Sequence, residues 1–111
     1  MEKPIKIDQS FIGEGHPVYI IAEIGGNFLT LEEAAKEIDL AIEAGAHAVK
    51  LQTFSAETIV TKQSCFTTIA GGANQFELFK KLEISESLHR SVFDYARQKK
   101  NHRFFNPELL R

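Results

Sequence analysis

The 111 residues carry 13 Lys plus Arg against 15 Asp plus Glu, a formal net charge of -2, and 43% of them are hydrophobic. That length leaves room for one domain (residues 1–111, no second unit) of ordinary globular composition. Scattered charge without a basic surplus argues against a nucleic-acid partner, and no apolar run approaches the roughly 20 residues that span a bilayer, so no membrane partner is expected. The opening MEKPIKIDQS has no signal-peptide plan. The single cysteine, Cys65, has no internal disulfide partner. It reads as a free thiol in a reducing compartment, which makes the cytoplasm the expected location.

In chain order, Ile5, Ile7, Phe11 and Ile12 among glycines predict a short strand or hairpin covering one end of a core. His16, before Pro17, reads as a loop residue. Residues 18–23 (VYIIAE) predict a strand apolar on both faces, as in a buried parallel sheet. Alternation sets Tyr19, Ile21 and Glu23 on one face and Val18, Ile20 and Ala22 on the other. A carboxylate at the strand end is costly in an apolar core. Glu23 is therefore a salt-bridged or loop-exposed group, or part of a polar site. Gly25-Gly26-Asn27 make a turn that fits neither G-x-G-x-x-G nor a Walker loop.

Thr30 and Glu33 fit a capping box. Leu31, Ala34, Ala35, Ile38, Ala41 and Ile42 form one apolar helix stripe. Glu32, Lys36, Glu37 and Glu43 fill the wet face, and Gly45 marks the stop. Residues 48–53 predict the second strand, with Val49 and Leu51 under the helix and Lys50 and Gln52 on the far side with Glu23. A lysine there would be buried and unpaired in an open sheet with helices on both faces. In a (β/α)8 barrel the same face is the interior, and its upper layer is the active site. His47 reads as structural or surface.

Between Phe54 and Gln75 only Ser55-Ala56-Glu57 suggests a helical turn. A connection this long is uncommon and often functional. Residues 75–82 predict a short helix with Phe76, Phe79 and Leu82 inward. Ser85 caps a further helix with a stripe of Leu88, Val92, Tyr95 and Ala96, and with Arg97, Lys99 and Lys100 near its end. His89 falls off that stripe and is expected to be exposed. Residues 103–106 predict a third strand, giving the order β-α-β-α-β.

The segments IIAEIGGN (20–27), EAGAHAVKLQTF (43–54) and QFELFKKLEIS (75–85) resemble the N-terminal part of the N-acetylneuraminate (sialic acid) synthase family, which includes the pseudaminate and legionaminate synthases. The resemblance covers nearly all of the chain. It implies a (β/α)8 TIM barrel, of which this chain holds the first three β/α units. It implies condensation of phosphoenolpyruvate with an N-acetylated hexosamine of the N-acetylmannosamine type, giving a nonulosonic acid and releasing phosphate. It also implies a divalent metal, Mn²⁺ or Mg²⁺, and in full-length members usually a small C-terminal antifreeze-like domain. Position by position, Glu23 matches an active-site carboxylate, and Lys50 matches the K-x-Q-T lysine that contacts phosphoenolpyruvate. Gln52 shares the Lys50 face as a further substrate contact.

Three departures bear on that reading. The family's Asn-His after the glycine turn is Asn27-Phe28 here, so any role of that histidine is lost. The family's Ser-Thr-Pro at the third strand is Phe105-Asn106-Pro107, and Asn106 is the candidate replacement for the threonine. Asn74 lies near a substrate-contacting asparagine of some members. The family's two metal-binding histidines belong to later strands, and none of His16, His47, His89 and His102 matches them. The chain is therefore expected to be truncated and inactive alone. The alternatives are a non-catalytic interaction module that self-associates through an exposed sheet edge, or another phosphoenolpyruvate-using or aldolase-type barrel.

Overall fold

Two strands and the helix between them make a parallel β-α-β unit to which the other elements attach. The structure, a computed structural model, describes residues 2–62 and 74–99. Their elements are β1 (Ile5–Ile7), β2 (Ser10–Ile12), β3 (Ile21–Glu23), α1 (Leu31–Glu43), β4 (Ala48–Lys50), α2 (Ala56–Ile59), α3 (Gln75–Leu82) and α4 (Glu86–Gln98). The third strand predicted at 103–106 lies outside the described residues.

α1 starts where the capping box was expected. The Thr30 hydroxyl accepts from the Glu33 amide at 3.2 Å, and Glu33 Oε2 accepts from the amides of Leu29 (2.8 Å) and Thr30 (3.2 Å). Those two backbone donors hold the Glu33 carboxyl below its ordinary value. The helix ends in a Schellman turn. Gly45 takes φ +84°, its amide donates to the Ile42 carbonyl, and the Ala46 amide donates to that of Ala41. Chain reversal at that point lets β4 lie parallel to β3, in the register Ile21↔Ala48, Ala22↔Val49 and Glu23↔Lys50.

The core lies between this sheet and its helices. Ala34, Ile38 and Ala41 of α1 pack with Val49 and Leu51, and Val92 and Ala96 of α4 join the same cluster. The expected stripes of both helices are thus borne out, except that Leu31 is exposed. α4 starts at Ser85, whose hydroxyl accepts from the Leu88 amide at 3.0 Å. It is pinned to α1 by the Tyr95 hydroxyl, which donates to Asp39 at 2.8 Å, while Lys99 pairs with Asp39 at 3.5 Å.

Several expectations change. The strand predicted at 18–23 forms its ladder only over Ile21–Glu23, and it is not buried on both faces: Val18 is 77% exposed and Ile21 50%. α1 covers one face, where Ala22 meets the core. Among the described residues no second layer covers the other. The expected hairpin does form over residues 5–12, β1 antiparallel to β2 with Ile5 opposite Ile12. Its residues join none of the described core, however, and Ile5 and Phe11 stay exposed. Glu37, placed on the wet face, buries Oε2 without a partner, and burial followed by the Glu33 charge pushes its carboxyl up. Phe76, Phe79 and Leu82 of α3 are half-buried, and Phe79 meets Phe54 edge-on at 5.3 Å.

Candidate functional site

β3 and β4 run parallel, so their C-terminal ends lie side by side, and the chain leaves both at the same edge. Register sets Glu23 directly opposite Lys50 on the face turned away from α1. Their side chains meet: Lys50 Nζ is 3.1 Å from Glu23 Oε2, with 51% and 38% of the two side chains exposed. The other carboxylate oxygen, Oε1, accepts the Gly25 amide at 2.7 Å. An exposed pair of this kind contributes about 0–1 kcal/mol, so stability gives little reason for it.

The glycine turn completes the edge. The ladder continues one residue past β3, with the Ile24 amide donating to the Lys50 carbonyl at 3.0 Å. Gly25 then passes so close to β4's extension that a Cβ on it would sit 2.4 Å from the Gln52 amide nitrogen and 2.5 Å from Gln52 Cγ. Only a residue without a side chain fits there. At Gly26 a Cβ would come 3.8 Å from Gln52 Oε1. Gln52 therefore lies over the glycine turn, beside the Glu23–Lys50 pair. The structure brings together Glu23, Lys50 and Gln52, as the alternation argument expected.

Other candidates fall elsewhere. Asn106 lies outside the described residues. Asn74 is a helix cap: its Oδ1 accepts the Glu77 amide at 3.1 Å, and its Nδ2 donates to the Lys62 carbonyl at 2.9 Å. Phe28 is 3% exposed and belongs to the core, so the position at which the resemblance implies a histidine faces the protein interior here. His47 is structural. Its Nδ1 accepts the Ile20 amide at 3.0 Å, and its ring stacks on Tyr19 at 4.9 Å. The expectation of an exposed His89 is corrected: it is half-buried, and its Nδ1 lies 2.7 Å from the Thr53 hydroxyl. Sequence reasoning also missed the Gly25 amide as a donor to the Glu23 carboxylate, although the double glycine two residues after Glu23 was the available signal.

The chemistry on offer is that of an anion site. A lysine on a flexible stem and a glutamine amide beside the glycine turn can receive a phosphate or carboxylate, and the neighbouring carboxylate can take or give a proton. Among the described residues no group of three or more His, Cys, Asp or Glu could hold a metal ion. No described helix is long and apolar enough to cross a membrane.

Comparison with known proteins gives a consistent set of matches. The model of the NeuB family matches residues 37–107. The spore coat polysaccharide biosynthesis protein SpsE of Bacillus subtilis is 37% identical over 97 residues, covering 85% of this chain and 26% of that protein. The N,N'-diacetyllegionaminic acid synthase of Legionella pneumophila is 39% identical over 90 residues, covering 76% of this chain and 25% of its own length. The crystal structure of SpsE superposes with a TM-score of 0.62 at 31% identity, over 94% of this chain and 27% of that one. The chain thus spans about a quarter of the length of the curated relatives it matches.

Proposed function

Since the chain belongs to the NeuB family, we propose that it supplies the front of a sugar-acid synthase site, the first β/α units of a (β/α)8 barrel. The reaction is condensation of phosphoenolpyruvate with an N-acetylated hexosamine of the N-acetylmannosamine type, with release of phosphate. Lys50 receives the phosphate or carboxylate of phosphoenolpyruvate. Glu23 holds that lysine in place beforehand and then handles a proton as water attacks or the sugar carbonyl is activated. Gln52 donates its amide to the bound substrates, and Asn106 takes the place of the family's threonine.

The observation that carries this reading is the Glu23–Lys50 pair at the adjacent C-terminal ends of two parallel strands, beside the Gly25 amide. That edge is where ligands bind in parallel α/β architectures. The family's Mn²⁺ or Mg²⁺ does not fit the described residues, and no step here runs through it. Soluble small-molecule substrates of this kind fit the cytoplasm.

Titrating phosphoenolpyruvate into the chain tests the site. Wild type should bind, with inorganic phosphate competing. Lys50→Met should weaken binding about tenfold or more while changing stability by roughly 0.5 kcal/mol or less. Equal affinity in Lys50→Met would remove Lys50 from the site. A second reading, self-association, is favoured by the exposed Val18, Ile20 and Ile21 along β3 and its approach. Sedimentation should then show a concentration-dependent dimer.

A further inference from the structure

His89 differs from the rest of its helix. The α4 stripe buries Val92 and Ala96 against the core, whereas His89 reaches across 36 residues of sequence to the Thr53 hydroxyl, 2.7 Å from its Nδ1. Thr53 follows Gln52 in the extension of β4. Strand alternation turns Lys50 and Gln52 to the open face and Thr53 back toward the helices. The hydroxyl is therefore available to α4 and plays no part in the ion pair. Either charge state of the imidazole can keep this bond, because Nδ1 accepts the hydroxyl proton when bare and donates when protonated.

The histidine is itself held from behind. Its ring lies 6.2 Å from that of Phe93, and Phe93 carries the Arg97 guanidinium at 4.5 Å. A second tie grips the same segment a few residues on, where Glu83 Oε1 accepts the Ala56 amide at 2.6 Å. A strand that has left its ladder frays unless something holds it. Here the later helices hold it at two points.

We infer that His89 is a positioning residue: through Thr53 it fixes the end of the strand that presents Lys50 and Gln52. The ligand-binding part of the test below rests on the phosphoenolpyruvate reading, and the exchange part does not.

Three variants test it. Thr53→Val removes the hydroxyl at constant shape and leaves α4 untouched. His89→Phe removes both ring nitrogens. His89→Asn keeps an amide near the place of Nδ1. In amide hydrogen exchange of the 111-residue chain, the Ile24 amide, which closes the ladder on the Lys50 carbonyl, should exchange roughly three- to tenfold faster in Thr53→Val and His89→Phe. His89→Asn should restore slow exchange, and α1 should not change in any of the three. Wild-type rates at Ile24, or equal acceleration through α1, would overturn the inference. Phosphoenolpyruvate affinity should fall by the same roughly three- to tenfold, with the double variant no weaker than either single. Additive losses would also overturn it. Should wild type bind no phosphoenolpyruvate, the proposed function fails, and the exchange rates alone decide the role of His89.

Discussion

The two faces of the β3–β4 sheet alternate along the same few residues, yet they differ in every physical respect. On one, Val49 and Leu51 are 0% and 2% exposed beneath Ile38 and Ala34. On the other, Glu23, Lys50 and Gln52 stand in solvent. The closed face is complete because its cover, α1, is the connection between the two strands and comes with them. The open face has no local cover, and its charged residues cost little there because they remain hydrated. One face therefore serves stability, and the other stays open to solvent.

Three substitutions test that division. The largest effect is expected at Leu51. Truncation to alanine opens a cavity in the closed face and should cost about 3 kcal/mol in urea unfolding, while any phosphoenolpyruvate affinity of the folded fraction survives. A cost below about 1 kcal/mol would mean that this face is not the structural one. Gly25→Ala comes next, because its methyl would collide with the Gln52 backbone. It should cost about 1–3 kcal/mol and also weaken ligand binding, since the shift falls on the open face. Calorimetric titration alongside unfolding separates the two effects, and unchanged values in both would contradict the close approach.

The smallest effect is at Glu37. Its folded carboxyl lies above the ordinary value of 4.5. Its contribution thus favours folding below that value and is lost as pH rises through the folded one. Glu37→Gln should therefore raise stability in thermal unfolding at neutral pH, by roughly 0.5 kcal/mol or less given its solvent access. The gain should vanish in acid, where wild type is itself neutral. A gain that persists in acid would point to packing and not charge.

Local rules made much of this chain legible. Thr30 and Glu33 announce the start of α1 and Gly45 its end, because caps satisfy backbone groups within a few residues of themselves. Ser85 does the same for α4, and period-two alternation correctly grouped Glu23, Lys50 and Gln52. Motifs at three separated places were enough to identify the NeuB family.

What the sequence alone determined is the helix limits, the alternation of the strands and the kinship. Tertiary structure decided the rest. Only the β3–β4 register turned two charged positions into one ion pair. Only the packing of α4 carried His89 from an exposed position to Thr53. The apolar sequence at 18–23 gave no warning that Val18 and Ile21 would stay exposed, because hydrophobicity states what can be buried, whereas burial requires a second surface that comes from elsewhere in the fold.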